Sequence, residues 1–322
     1  MKRNSIDLPA PPSSWDALSA RQLRAVHHIM RSARSVADLK LRVLLMLCGL
    51  RAFKRGYHDV EPGEGKGGGV VYHFRLGGWW GRVTGRVVSM ASWEICFWID
   101  RYMSFLDEPM KLLSLPFDYV RIGGRKYKAP DAQMVNLTYE QYGNAQRYLI
   151  ACWDSSRALA EEKGMKRSER GKLYEELMRC RAGFLAHLFT PPSFRLLDQR
   201  HQATRISPQV VYHYDAERAE RLIPKFMRMD VKDDTLFDIC CQFFQSCQLR
   251  YKEDFPHLFK EYGGSDDRSA LVMEVDTVNA VQKYAGYTSQ QEVYDSNSVF
   301  IFGFLNSMAH EAKELEKLKT KN

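Results

Sequence analysis

The stretch from Pro130 to about residue 162 constrains this chain most. Thr138 followed three residues later by Gln141 predicts a capping box, in which each side chain satisfies an orphan backbone N–H of a starting helix. Tyr142, Ala145, Leu149, Cys152, Ser156 and Leu159 then recur at spacings of three and four, which is one continuous helix face. Ile150 and Trp153 lie off that stripe, so a second side of the helix is expected to be covered too. A long helix covered on two sides is central to a fold.

At 322 residues the chain suits one large domain or two ordinary ones. A hydrophobic fraction of 45% and an aromatic fraction of 12% supply a packed core and exclude a disordered chain. The net charge of +8 is unevenly spread. Residues 1–130 hold 21 Lys+Arg against 11 Asp+Glu, and residues 131–322 hold 26 against 28. Such an excess suits either an acidic partner or a solubility surface. The seven cysteines contain no CxxC pair and sit mostly in apolar periodic stretches, which predicts buried free thiols and a cytoplasmic, reducing location. Met1-Lys2-Arg3 leads into no apolar run of signal-peptide length. No stretch approaches the ~18 uncharged apolar residues of a membrane span, so no membrane partner is expected.

The periodicity predicts a mainly α protein with small β-hairpins, an α+β multi-helix globular chain. Two domains are expected: a basic one over 1–165, with two hairpins and the central helix, and a helical one over 166–322. Ser19-x-x-Gln22 is a second capping box, opening a helix with Leu23, Val26 and Met30 on its buried side. Ser35-x-x-Asp38 opens another, expected to run to about Phe53. Its basic end (Arg51, Lys54, Arg55) would complement the helix dipole. Runs 70–76 and 79–88, punctuated by Gly77-Gly78, read as a β-hairpin, with a helix beginning at Ser89 and running to Pro109. Gly123-Gly124, between Val120-Arg121-Ile122 and Arg125-Lys126-Tyr127, predicts a tight hairpin, because that turn requires positive φ. Later helices are expected around Leu173–Phe184, from Ala216 to a break near Pro224, over Leu236–Tyr251, and over 298–319. Between the last two, Asp254–Phe259 reads as a loop with apolar anchors. Residues 271–296 read as a short helix–turn–helix capped by Gly286, with Ser289-x-x-Glu292 opening its second helix.

Several motifs invite chemistry and fail on spacing. Gly63–Gly69 lacks the Ser or Thr after its lysine and precedes a strand, so it is not a phosphate loop. His27-His28 point about 100° apart on a helix and do not share one ion easily. Cys240, Cys241 and Cys247 lack the pairing that zinc requires. The second helix of the helix–turn–helix carries Glu292 and Asp295, which face phosphates badly. No nucleophile elbow, zincin motif, paired-aspartate motif or dinucleotide glycine set occurs, so no catalytic, cofactor or metal residue is assigned. One cluster retains a binding reading. Arg75, Trp79, Trp80, Arg82 and Arg86 interleave cations with aromatics on one expected hairpin. That pattern suits base stacking and phosphate contact, or equally one hairpin face packed on helices with its arginines in water.

The order of a short hairpin (Val120–Tyr127), Pro130, Leu137-Thr138-Tyr139-Glu140-Gln141-Tyr142, Phe255-Pro256-His257-Leu258-Phe259 and a helical ending resembles a group of phage and mobile-element proteins from gut bacteria. That resemblance, in outline over residues 15–320, implies a non-enzymatic role in phage tail or particle assembly, as a chaperone or structural accessory with a protein partner. It carries over no functional residue. The alternative expectation is a nucleic-acid-binding accessory protein using the basic first third.

Overall fold

A computed structural model describes residues 10–57, 70–77, 87–161, 166–189, 193–194, 212–230, 235–260 and 270–320. The chain divides into two compact units, Met1–Leu112 and Leu113–Asn322. The architecture is mainly helical, with antiparallel sheets of two or three strands. No described helix is long and apolar enough to cross a membrane.

The first unit contains α1 (Ala20–Ser32), α2 (Val36–Leu47), β1 (Leu50–Tyr57), β2 (Val70–Leu76), β3 (Val87–Ala91) and α3 (Ser92–Tyr102). The expected box starts α1: Ser19 Oγ accepts from Gln22 N–H, and Gln22 Oε1 accepts from Ser19 N–H at 2.9 Å. Leu23 and Val26 are buried as expected, but Met30 is exposed and Ile29 and His27 take the inner positions. Ser35 caps α2 by accepting from Asp38 N–H at 3.1 Å.

The helix expected to reach Phe53 stops at Leu47. Gly49 adopts φ +65°, a left-handed stop that L side chains avoid, and residues 50–57 turn back as β1. Arg51, Lys54 and Arg55 therefore lie on a strand rather than at a helix end. β2 pairs with both β1 and β3, giving a three-stranded sheet in place of a lone hairpin. Ser89 belongs to β3, so the helix after it begins at Ser92, and it ends at Tyr102 rather than at Pro109.

The second unit opens with β4 (Tyr119–Ile122) and β5 (Arg125–Lys128). Gly123 and Gly124 take φ +55° and +80°, as the turn requires. Then follow α4 (Tyr139–Glu161), α5 (Arg167–Phe189), the short strands β6 (Ser193–Phe194) and β7 (Tyr212–His213), α6 (Ala216–Asp230), α7 (Thr235–Asp254), α8 (Pro256–Lys260), α9 (Ala270–Ala285), α10 (Gln290–Asp295) and α11 (Ser298–Thr320). The division expected at 165 falls between α4 and α5, inside this unit.

α4 holds the unit together. It packs extensively on α5 and also touches α10 and α11. At its start Tyr139 N–H donates to Ser296 O at 2.8 Å, and Ser298 N–H donates to Leu137 O at 3.0 Å, which pins the start of α11 to the start of α4. Tyr142 stacks on Phe244 at 5.2 Å and meets Phe302 edge-on at 5.1 Å, and Phe184 meets Phe244 edge-on at 5.5 Å. One aromatic cluster thus joins α4, α5, α7 and α11.

Several expectations change here. The reciprocal half of the Thr138 box is not made: Thr138 Oγ1 accepts from Gln141 N–H at 3.1 Å, but the Gln141 amide donates to His187 O on α5 at 2.8 Å. Ser155, not Ser156, is buried, and Ile150 and Trp153 are 44% and 41% exposed, so that side of α4 faces solvent. Helix α6 runs through Pro224. The missing N–H and ring clash cost about 3 kcal/mol. Burial of Leu222, Ile223 and Phe226, at about 1.5–3 kcal/mol per side chain, exceeds it. Residues 256–260, expected as loop, form the short helix α8.

Candidate functional site

The most built polar arrangement lies where α4, α5, the end of β7 and α6 meet. Tyr148 on α4 lies over α5 because residue 183 is glycine: a β-carbon there would stand 2.3 Å from the Tyr148 ring. One helical turn on, the Tyr148 ring stacks on the His187 imidazole with centroids 5.0 Å apart. His187 is 1% exposed and Tyr214 is 2% exposed. Glu220 Oε1 accepts from Tyr148 Oη–H at 2.6 Å and lies 3.2 Å from His187 Nε2. His187 Nδ1 meets the Tyr214 hydroxyl, which also accepts from Asn144 Nδ2–H at 3.2 Å.

The donor inventory fixes the protons. A carboxylate only accepts, so His187 Nε2 carries the hydrogen. The neutral ring then accepts at Nδ1, which is where the Tyr214 O–H points. Burial holds His187 below the usual imidazole range, against a weaker upward pull from Glu220. Burial pushes both phenols, Tyr148 and Tyr214, above the usual tyrosine range, so both stay protonated. The result is a carboxylate–imidazole–hydroxyl relay. Its order matches that of a hydrolytic triad. A nucleophile must meet substrate, however, and this hydroxyl is buried and already holds Asn144. The relay acts as a lock between α4, α5 and α6. Sequence reading missed it because its bonded partners stand 27 to 72 residues apart and carry no local motif.

The cysteines give no reactive centre where burial is deep. Burial pushes Cys48 up to about 11 and Cys241 and Cys247 up to about 12, leaving protonated thiols. Among the described residues no three His, Cys, Asp or Glu side chains are placed to hold a metal ion.

Of the five residues singled out for nucleic acid, Trp79, Trp80, Arg82 and Arg86 lie outside the described residues. Arg75 is exposed on β2, directly opposite Arg51 of β1. A second basic surface escaped that reading. On the outward face of the β4–β5 hairpin, Tyr119 pairs with Lys128 and Arg121 with Lys126, while Val120 and Tyr127 point inward. Lys126 Nζ lies 4.4 Å from the Tyr119 ring centroid. The helix–turn–helix exists as α9, Gly286 at φ +73°, and α10, whose six residues make a short second helix.

An exposed apolar surface lies on α11. Ile301 is buried and Phe304, Leu305 and Met308 are half-buried. From His310 to Lys319 every residue except Lys313 is exposed, and Leu315 and Leu318 are both 59% exposed. The apolar stripe thus continues beyond the packed part of the helix, flanked by Glu and Lys, with Lys317 donating to Glu314 at 2.8 Å. Comparison with protein-family models, with curated proteins and with solved structures found no match.

Proposed function

We propose that this chain is a non-enzymatic binding protein of a prophage or similar mobile element, acting in tail or particle assembly as a chaperone or structural accessory. The observation that carries the reading is the unpacked end of α11, where Leu315 and Leu318 stand in solvent on a helix that is still regular. Leucines three residues apart on a charged helix are the anchors of helix-to-helix recognition, and a long helical client would cover them. The inward-turned relay at His187 supports a binding role over a catalytic one. The tail-assembly component rests on the resemblance of the Val120–Tyr127, Leu137–Tyr142 and Phe255–Phe259 segments.

The test is affinity capture from cells in which the resident element is induced, with the wild-type chain beside Leu315→Glu/Leu318→Glu. The reading expects a helical tail protein with the wild type and its loss with the variant. A robust turnover activity abolished by one polar substitution would sink it.

The outward face of the β4–β5 hairpin favours a second reading, a nucleic-acid-binding accessory. Arg121, Lys126 and Lys128 there surround an exposed tyrosine. That reading expects binding which falls steeply with salt, through counterion release, and which weakens further in Arg121→Ala/Lys126→Ala.

A further inference from the structure

A cavity of about 490 Å³ opens in the first unit beside α1, α2 and the paired ends of β1 and β2. Ile29, Leu45 and Met46 give it an apolar lining, and Arg21, Arg42 and Arg51 bring three guanidinium groups. The sheet end is closed by two glycines: Gly77 N–H donates to Gly49 O at 2.5 Å, and a β-carbon on Gly77 would stand 2.8 Å from that oxygen. Arg42 is already oriented, donating to Ser32 O at 3.1 Å and to Ser32 Oγ at 2.9 Å, with Asp38 3.6 Å away. Arg21 and Arg51 form no ion pair with any described residue. Arg75 stands opposite Arg51 in the β1–β2 register. The whole unit holds 17 Lys+Arg against 10 Asp+Glu.

We propose that this cavity binds a phosphate ester carried on a flat or apolar body, a nucleoside phosphate either free or at the 5′ end of a strand. Guanidinium forks match phosphate oxygens in pairs, and a phosphate offers enough acceptors for several forks where a lone carboxylate is satisfied by one. The volume falls within the ~300–1,000 Å³ of small-molecule sites, and the apolar lining suits a base.

The experiment is calorimetric titration of the full chain with ADP, with a 5′-phosphorylated tetrathymidylate, and with its unphosphorylated form, at about 0.1 M salt. Wild type, Arg21→Gln, Arg51→Gln and Lys111→Gln are compared. Lys111 is exposed, is not among the cavity-lining residues, and controls for net charge. The proposal expects saturable binding by ADP or by the phosphorylated strand. It expects that binding to weaken about tenfold or more in each arginine variant and to stay unchanged in Lys111→Gln. Tighter ADP binding identifies free nucleotide as the source, and tighter binding of the phosphorylated strand identifies a strand end. No saturation by either probe at about 1 mM overturns the proposal, as does equal binding by wild type and both arginine variants.

Discussion

Gly183 on α5 and the ring of Tyr148 on α4 fill one space, with 2.3 Å between the ring and where a glycine β-carbon would stand. That approach lets Tyr148 stack on His187 and reach Glu220. Gly183→Ala raises helix propensity by about 1 kcal/mol. It also forces the ring off its position at an overpacking cost of about 1–3 kcal/mol and breaks the bond to Glu220. A net loss of stability is expected in thermal melts. A melting temperature at or above wild type would show that the contact does not constrain the helix pair.

The relay makes stability depend on pH. His187 is held below its unfolded value by burial, so the unfolded chain takes up its proton first. The stabilising contribution is present above about pH 6.5, the unfolded value, and is lost as pH falls toward the folded one. Urea midpoints measured from pH 7.5 down to 5 should fall more steeply for wild type than for His187→Gln. Parallel curves would exclude this imidazole as the source.

Tyr251 on α7 donates its hydroxyl to Gln133 O at 2.5 Å, and Gln133 and Met134 both take positive φ, 55° and 56°. Two consecutive left-handed residues that are not glycine need such a tether. Tyr251→Phe keeps the buried ring and removes the donor, for an expected loss of about 1–2 kcal/mol in denaturant titration. An unchanged midpoint would mean the segment holds itself.

Much of this architecture was legible because it rests on local chemistry. Ser19 and Gln22 form their box, and Gly123-Gly124 forms its turn, since each depends on residues within three positions of one another. The run from Leu41 to Cys48 kept a helical period, so the stop at Gly49 was missed: one positive φ ended α2 and turned the following basic residues into a strand. Pro224 marked a break that tertiary burial overrides. The exposed side of α4 at Ile150 and Trp153 could not be told from a covered one, since periodicity shows what is apolar and not what meets it. The relay was invisible because Tyr148, His187, Tyr214 and Glu220 converge only in the fold.

On α11, Leu315→Glu/Leu318→Glu should leave the melting temperature close to wild type. Both side chains are 59% exposed, and substitutions at such positions change stability by about 0.5 kcal/mol or less. A large drop would show that these leucines support the fold rather than await a partner.

The central claim is tested most directly by repeating the capture from induced cells with that same variant, reading protein by mass spectrometry and nucleic acid by ultraviolet absorbance on one eluate. The account predicts a long helical tail protein, free of nucleic acid, with the wild-type chain and its absence with the leucine variant. Equal recovery by both chains, or an eluate rich in nucleic acid that is lost at high salt, would contradict it.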